Sequence, residues 1–423
     1  MGGFVDTPGR KGVTLDSLTY GKAITETHMQ SEEREQAYEA GLKKGRAIIA
    51  GITYGAVGYD DGRRYYRDKT REVASALGCP VEAVVARVFA FHKERLDAVP
   101  DLTRYPELRG ERDLLFERYR GMVDAGLSKD LVALAESLVF WQDYRLPVEE
   151  GKSFYGLATE RKLREQCRVI YMPESDRGAI HAKNVDAPLK GFIPDPPITN
   201  PGPWPFPPLM PDGAGSGLHI DEIPPEIFPA DAVALCPKHC TTVDEATEFL
   251  VRYCYFWGGC NRLVHDDKGN SMAFEKTSRC RVATRGPDSN GINYVTGMGA
   301  VDAELAEFID RQRELYLRET EQDDDCYEAT YWRKCKGQFR SMARYMKELS
   351  ETPTVDKLIE VLLKRDPDGP LCKDGVPCHA DEATPEATLL QRVMFLDEKK
   401  VIRRQWRGDV PVWEDPWEVI QYG

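Results

Sequence analysis

The sequence predicts an α/β protein with a largely helical N-terminal segment, and three observations carry that expectation. The first 150 residues hold apolar side chains at helical spacing. Residues 167–192 switch to alternation with period two. From there to the C-terminus, strand-like runs and helix-like runs take turns without a strict βαβ repeat, which suits a layered arrangement.

Taken in order, residues 1–27 are rich in Gly, Pro and Thr and predict an irregular lead. Helices are expected at 31–52, 68–77, 81–97, 112–124 and 128–143, the last with Leu131, Leu134, Leu138 and Val139 on one stripe. Cys167-Arg-Val-Ile-Tyr-Met, a turn signal at Pro-Glu-Ser-Asp-Arg-Gly, and Ala-Ile-His-Ala-Lys183-Asn184-Val-Asp186 predict a hairpin. Its first strand opens with a thiol and its second ends in a carboxylate, so paired strands bring Cys167 and Asp186 to one end of a sheet. Residues 193–215 carry too many prolines for a helix or a central strand. Trp204, Phe206, Leu209 and Met210 make that segment either the roof of a substrate pocket or a surface crossover. Thr242-Val-Asp-Glu245 is a capping box that opens a helix reaching about Phe256. Strands follow at 261–267, 270–277, 280–285 and 292–296, helices at 302–318, 328–349 and 354–365, and strands at 388–396 and 400–406.

Composition excludes several function classes. The 423 residues, 41% hydrophobic, can bury a large core. A net charge of −13 without a basic, aromatic-laced patch argues against nucleic acid. No run approaches the length of a membrane span, and the N-terminus lacks the build of a secretory signal. Eleven irregularly spaced cysteines suit free thiols and a cytoplasmic setting. Cys236-Pro-Lys-His239-Cys240 and Cys372 to Cys378-His379 invite a zinc reading, but neither spacing matches a structural zinc pattern.

The stretch from Cys167 to Asp186 resembles the cysteine branch of the N-terminal-nucleophile hydrolases, most closely the isopenicillin N acyltransferase-like, peptidase C45 family. There a cysteine starts a strand and Asn-x-Asp follows about nineteen residues later, where Asn184-Val185-Asp186 stands here. Further matches run in the family's order. They are Thr242-Val-Asp-Glu-Ala246, Asn261 through Asp267-Lys-Gly269 to Phe274-Glu275, Gly291-Ile-Asn293-Tyr beside the family's Thr-Asn-His-Phe, and Thr384 to Phe395. The family's Asn-x-x-Gly-Leu is reduced here to Ala214-Gly-Ser-Gly-Leu218.

The resemblance implies a four-layer αββα sandwich over 167–423, preceded by a helical pro-segment 1–166. It implies self-cleavage between Gln166 and Cys167, the fragments staying associated. The freed α-amine, with an ordinary pKa of about 7.7–8.0, then serves as the base for the thiol. Asp186 is expected to hold that amine. Asn293 is the first choice of oxyanion donor and Asn261 the second. Lys183 stands where related bile-salt hydrolases look to have an arginine. Arg344, in Ser341-Met-Ala-Arg344-Tyr, is expected to steady Asp186 or a substrate carboxylate. The expected reaction is hydrolysis or transfer of the acyl group of a small N-acyl amide through a Cys167 thioester, with no cofactor. The oligomeric state stays open. Without the resemblance, Asp186 reads as a strand-end carboxylate, Asn293 as a turn residue and Arg344 as a solvated arginine. The whole chain then reads as a helical binding or interaction protein whose cysteine sits inertly in a core strand. With the resemblance, the degenerate motif at 214–218 also allows a family member that has lost activity.

Overall fold

A computed structural model describes residues 31–51, 61–97, 108–149, 167–189, 192, 194–215, 232–253, 259–277, 282–296, 302–321, 323, 325, 327–366, 369–377 and 386–423. The expected irregular lead, Gln166 and the 216–218 part of the degenerate motif lie outside them. The chain divides into two compact units, Met1–Val139 and Phe140–Gly423. The division falls inside the last predicted helix of the N-terminal block rather than at Cys167.

The first unit is built from α1 (Ser31–Ile49), α2 (Gly62–Leu77), α3 (Val81–Asp97), α4 (Leu108–Asp124) and most of α5 (Lys129–Phe140). Helix α2 begins six residues before the predicted start. The Asp61 carboxylate accepts the Arg63 backbone N–H at 2.9 Å and so supplies the cap. Gly78, at φ 62°, closes the same helix. Helices α1 and α4 touch backbone to backbone. A Cβ on Gly41 would stand 2.0 Å from the Arg118 carbonyl oxygen, and one on Gly121 would stand 2.2 Å from that of Tyr38.

The second unit opens with a π-helical turn (Trp141–Arg145) and α6 (Leu146–Glu149) and then turns to sheet. It is a mixed α/β structure with two antiparallel sheets. The strands are β1 (Arg168–Met172), β2 (Ile180–Pro188), β3 (Met210–Gly215), β4 (Gly259–His265), β5 (Ser271–Thr277), β6 (Val282–Arg285), β7 (Asn293–Val295), β8 (Glu386–Phe395), β9 (Lys400–Gln405) and β10 (Glu418–Gln421). One sheet has the order β10-β9-β8-β2-β1-β7, the other β3-β4-β5-β6.

Period-two alternation assigns the faces of the larger sheet. Ile170 and Met172 of β1, Ile180 and Ala182 of β2, and Val393 and Phe395 of β8 point one way. They pack on Met342, Tyr345, Met346 and Leu349 of a long helix (Tyr327–Glu351) and on Leu358 and Val361 of a short one (Val355–Leu362). The opposite face offers Val169, Tyr171 and Val295, which meet Leu263 and Ala273 of the smaller sheet. Two further helices, α7 (Ala232–His239) and α8 (Val243–Tyr253), precede β4, and α8 lies along β4 and β5. Its capping box forms as expected. The Thr242 hydroxyl accepts the Glu245 N–H at 3.2 Å, while the Glu245 carboxylate accepts the Thr241 and Thr242 N–H groups at 2.8 and 3.2 Å. The remaining helices are α9 (Ala303–Thr320), α10 (Tyr327–Glu351) and α11 (Val355–Leu362).

The sequence did not predict β3. Met210-Pro-Asp-Gly-Ala-Gly lacks the branched side chains of a strand, yet it pairs with β4 at the sheet edge, where a proline costs no ladder bond on its open side. The Pro-rich segment before it packs inward. Trp204 and Phe206 lie against the buried cluster of Met210, Met394, Val401 and Ile420, with Tyr422 edge-on to both rings.

Candidate functional site: the start of β1 and the face between the sheets

Cys167 immediately precedes β1 and is 6% exposed. Arg168 pairs with Asn184 across the β1–β2 ladder, so the next step toward the strand end brings Cys167 opposite Val185 and beside Asp186. The hairpin therefore joins thiol and carboxylate at one sheet end, as the sequence predicted.

Alternation separates their side chains. Arg168 lies on the helix-facing side with Asp186, whereas Cys167 follows Val169 and Tyr171 toward the second sheet.

Asp186 is fully buried and has three partners. A register shift in the β2–β8 ladder skips Leu389 and sets Asp186 opposite Thr388, whose hydroxyl donates to Oδ1 at 2.7 Å. The Arg168 guanidinium donates to Oδ2 and, through its other nitrogen, to the Pro370 carbonyl at 2.7 Å. The Lys373 ammonium stands 3.4 Å from Oδ2 and also donates to the buried Glu386 carboxylate. Two cations and two anions thus cancel inside the protein, as buried charge requires. A carboxylate offers about four acceptor sites, and these contacts leave room for one more donor. Burial pushes the nearby Cys372 thiol up, against the lowering effects of Thr388 and Arg168. Asn184 turns away from this group. Its amide donates to the Leu362 and Leu371 carbonyls at 2.9 and 2.7 Å and ties β2 to the end of α11.

Asn293 sits opposite Tyr171, four residues along β1 from Cys167, or roughly 13 Å. Its amide is engaged by Ser271, Arg285 and the Tyr294 N–H. Continuing the β1–β7 register places Thr296, not Asn293, abreast of Arg168. The Asn261 amide donates to the Thr296 carbonyl. Asn261 is 1% exposed, with no hydrogen-bond partner on its carbonyl oxygen, and its strand faces the sheet that carries Cys167. Of the two asparagines, Asn261 is the one brought to the thiol's end. Arg344 is bound elsewhere, to Tyr345 at 2.9 Å and to Asp366, and its side chain is 58% exposed.

Lys183 points between the sheets, where its ammonium donates to Asp212 of β3 at 2.5 Å. The same carboxylate takes His181 Nε2 at 3.0 Å and the Gly213 N–H at 2.7 Å. His181 Nδ1 meets His265 Nε2 at 2.9 Å, and Tyr171 stacks on His265 with ring centroids 4.0 Å apart. Burial holds both imidazoles below the usual histidine range, His265 well below, although Asp212 opposes the shift. Burial alone pushes the Asp212 carboxyl up, but Lys183, His181 and Arg392 together outweigh it and hold the group well below its ordinary value. Sequence reading missed Arg168, Thr388, Lys373, His181, Asp212 and His265. The only available signals were the position of Arg168 next to the thiol and that of His181 two residues before Lys183.

Cys236 and Cys240 lie one turn apart at the end of α7, where a hydrogen bond between them lowers the Cys240 thiol. Among the described residues no three His, Cys, Asp or Glu side chains stand where one metal ion could join them. Cys378 and His379 fall outside those residues. Among the described residues no single helix is long and apolar enough to cross a membrane. No family model matches the chain, and no curated protein matches it.

Proposed function

We propose that the chain is an autoprocessing N-terminal-nucleophile amidohydrolase or acyltransferase with Cys167 as nucleophile, built on an αββα sandwich. The observation that carries this reading is a buried cysteine immediately before β1, whose partner strand carries the buried, pre-oriented Asp186 carboxylate at the same sheet end. In the first reaction the Cys167 sulfur attacks the Gln166 carbonyl carbon. The Gln166–Cys167 C–N bond breaks, a thioester forms, and the proton from sulfur passes to the departing amine. Water then cleaves the thioester, leaving a Gln166 carboxylate and a free Cys167 thiol and amine.

In turnover the α-amine takes the thiol proton, sulfur attacks the substrate amide, and the resulting ammonium protonates the leaving amine. Asp186 accepts a hydrogen bond from that amine at its remaining acceptor site, while Arg168 and Thr388 fix its orientation. Asn261 is the donor proposed for the oxyanion, through the second N–H of the amide that bonds the Thr296 carbonyl, since Asn293 lies at the far end of β1. Water resolving the acyl-thioester gives hydrolysis; an amine gives transfer. The test is amine release from a panel of small N-acyl amides. Cys167→Ala is expected to abolish it, and Asn261→Ala to lower kcat by roughly 10²–10³-fold with little change in KM. Full activity in Cys167→Ala would refute the assignment.

A further inference from the structure

A cavity of about 300 Å³ lies where the Pro-rich segment, β3, α7 and β8 meet. Its apolar walls include Phe206, Met210, Val233 and Pro237, and its polar wall is Asp212 with Arg392. The volume is at the lower end for small-molecule sites. The character of the polar wall decides what fits. Asp212 already accepts from Lys183, His181 and the Gly213 N–H, so it has little left to offer a cation. Arg392 stands 3.7 Å from Asp212, beyond hydrogen-bond reach, its Nε is buried without a hydrogen-bond partner, and its guanidinium lies 5.7 Å from the Phe206 ring centroid. The charged side chains at this wall are two cations, Lys183 and Arg392, against the one Asp212 carboxylate.

We propose that this cavity binds an apolar monocarboxylate, its chain between Phe206, Met210, Val233 and Pro237 and its carboxylate on Arg392. Burial of the chain supplies the affinity, and the guanidinium, held to Asp212 only by a 3.7 Å ion pair with its Nε unbonded, supplies the preference for an anion. Binding needs no cleavage at Cys167, so this site and the catalytic reading stand or fall separately.

The test is calorimetric titration of the full chain with octanoate, octanamide and octylamine, which share a chain length and differ in head-group charge. Octanoate is expected to bind at least about tenfold tighter than octanamide, and octylamine more weakly than either. Arg392→Gln should bring octanoate to the affinity of the amide. Val233→Trp, which fills the cavity and leaves the guanidinium in place, should remove octanoate binding. Cys167→Ala should bind as wild type does. Equal affinity for octanoate and octanamide, tighter octylamine, no binding of octanoate, or indifference to Val233→Trp would each overturn the proposal. Loss of binding in Cys167→Ala alone would do the same.

Discussion

Asp186 accepts hydrogen bonds or charge from Thr388, Arg168 and Lys373, and each partner is worth a different amount. Removing the Thr388 hydroxyl with Thr388→Val deletes its bond to the buried carboxylate and the one it accepts from the Lys373 backbone N–H at 2.8 Å, and is expected to cost at least about 1.5–3 kcal/mol. Asp186→Asn keeps the shape but leaves two buried cations sharing Glu386, and about 3–5 kcal/mol should be lost. Urea unfolding of both variants checks the order; an Asn variant as stable as wild type would refute this charge balance. The buried histidines make a second residue-level prediction. Both His181 and His265 have folded pKa values depressed below the unfolded value of about 6.5, so the unfolded chain binds more protons below that pH. Their contribution is fully present above about pH 6.5 and declines as pH falls toward the depressed values, by up to about 1.4 kcal/mol per pH unit for each histidine. His265→Phe, which keeps an aromatic ring against Tyr171, should flatten the fall in stability between about pH 6.5 and 5. An unchanged slope would show that His265 does not titrate in this way.

At the scale of elements, the contact between α1 and α4 depends on glycines that no charge or hydropathy pattern singled out. The methyl group of Gly41→Ala would overlap the Arg118 carbonyl, so the helices must separate; the variant should lose about 1–3 kcal/mol or more. Gly202→Ala, with nothing within 4 Å but a φ of +70°, should cost about 1 kcal/mol through backbone strain alone. Thermal melts that rank the two the other way would contradict the close packing. Strand β3 shows why an element can escape a sequence reading. Propensity and alternation report on strands packed on both sides, whereas an edge strand with one bonded side tolerates Pro211, Gly213 and Gly215. The β1–β2 hairpin, the capping box at Thr242 and the β8–β9 pair were legible because each carries its signal within a few neighbouring residues.

For the molecule as a whole, the alternation along 168–186 was enough to place Cys167 near Asp186, but the surroundings of both depend on register between distant strands. Thr388 reaches Asp186 only because the ladder skips one residue, and Lys373 comes from a far later part of the chain. Asn293 and Thr296 occupy one short stretch, and only the pairing with β1 decides which end meets the thiol. The His181–Asp212–His265 group comes from three strands with no shared motif, so nothing in the linear order points to it. The mechanism proposed for Cys167 requires a free backbone amine at that residue. Intact mass spectrometry of the purified protein beside its Cys167→Ala variant tests that requirement directly. Two fragments are expected for wild type, one beginning at Cys167, and an uncut chain of 47.9 kDa for the variant. A wild-type protein that turns over substrate while its mass remains that of the uncut chain would contradict the mechanism.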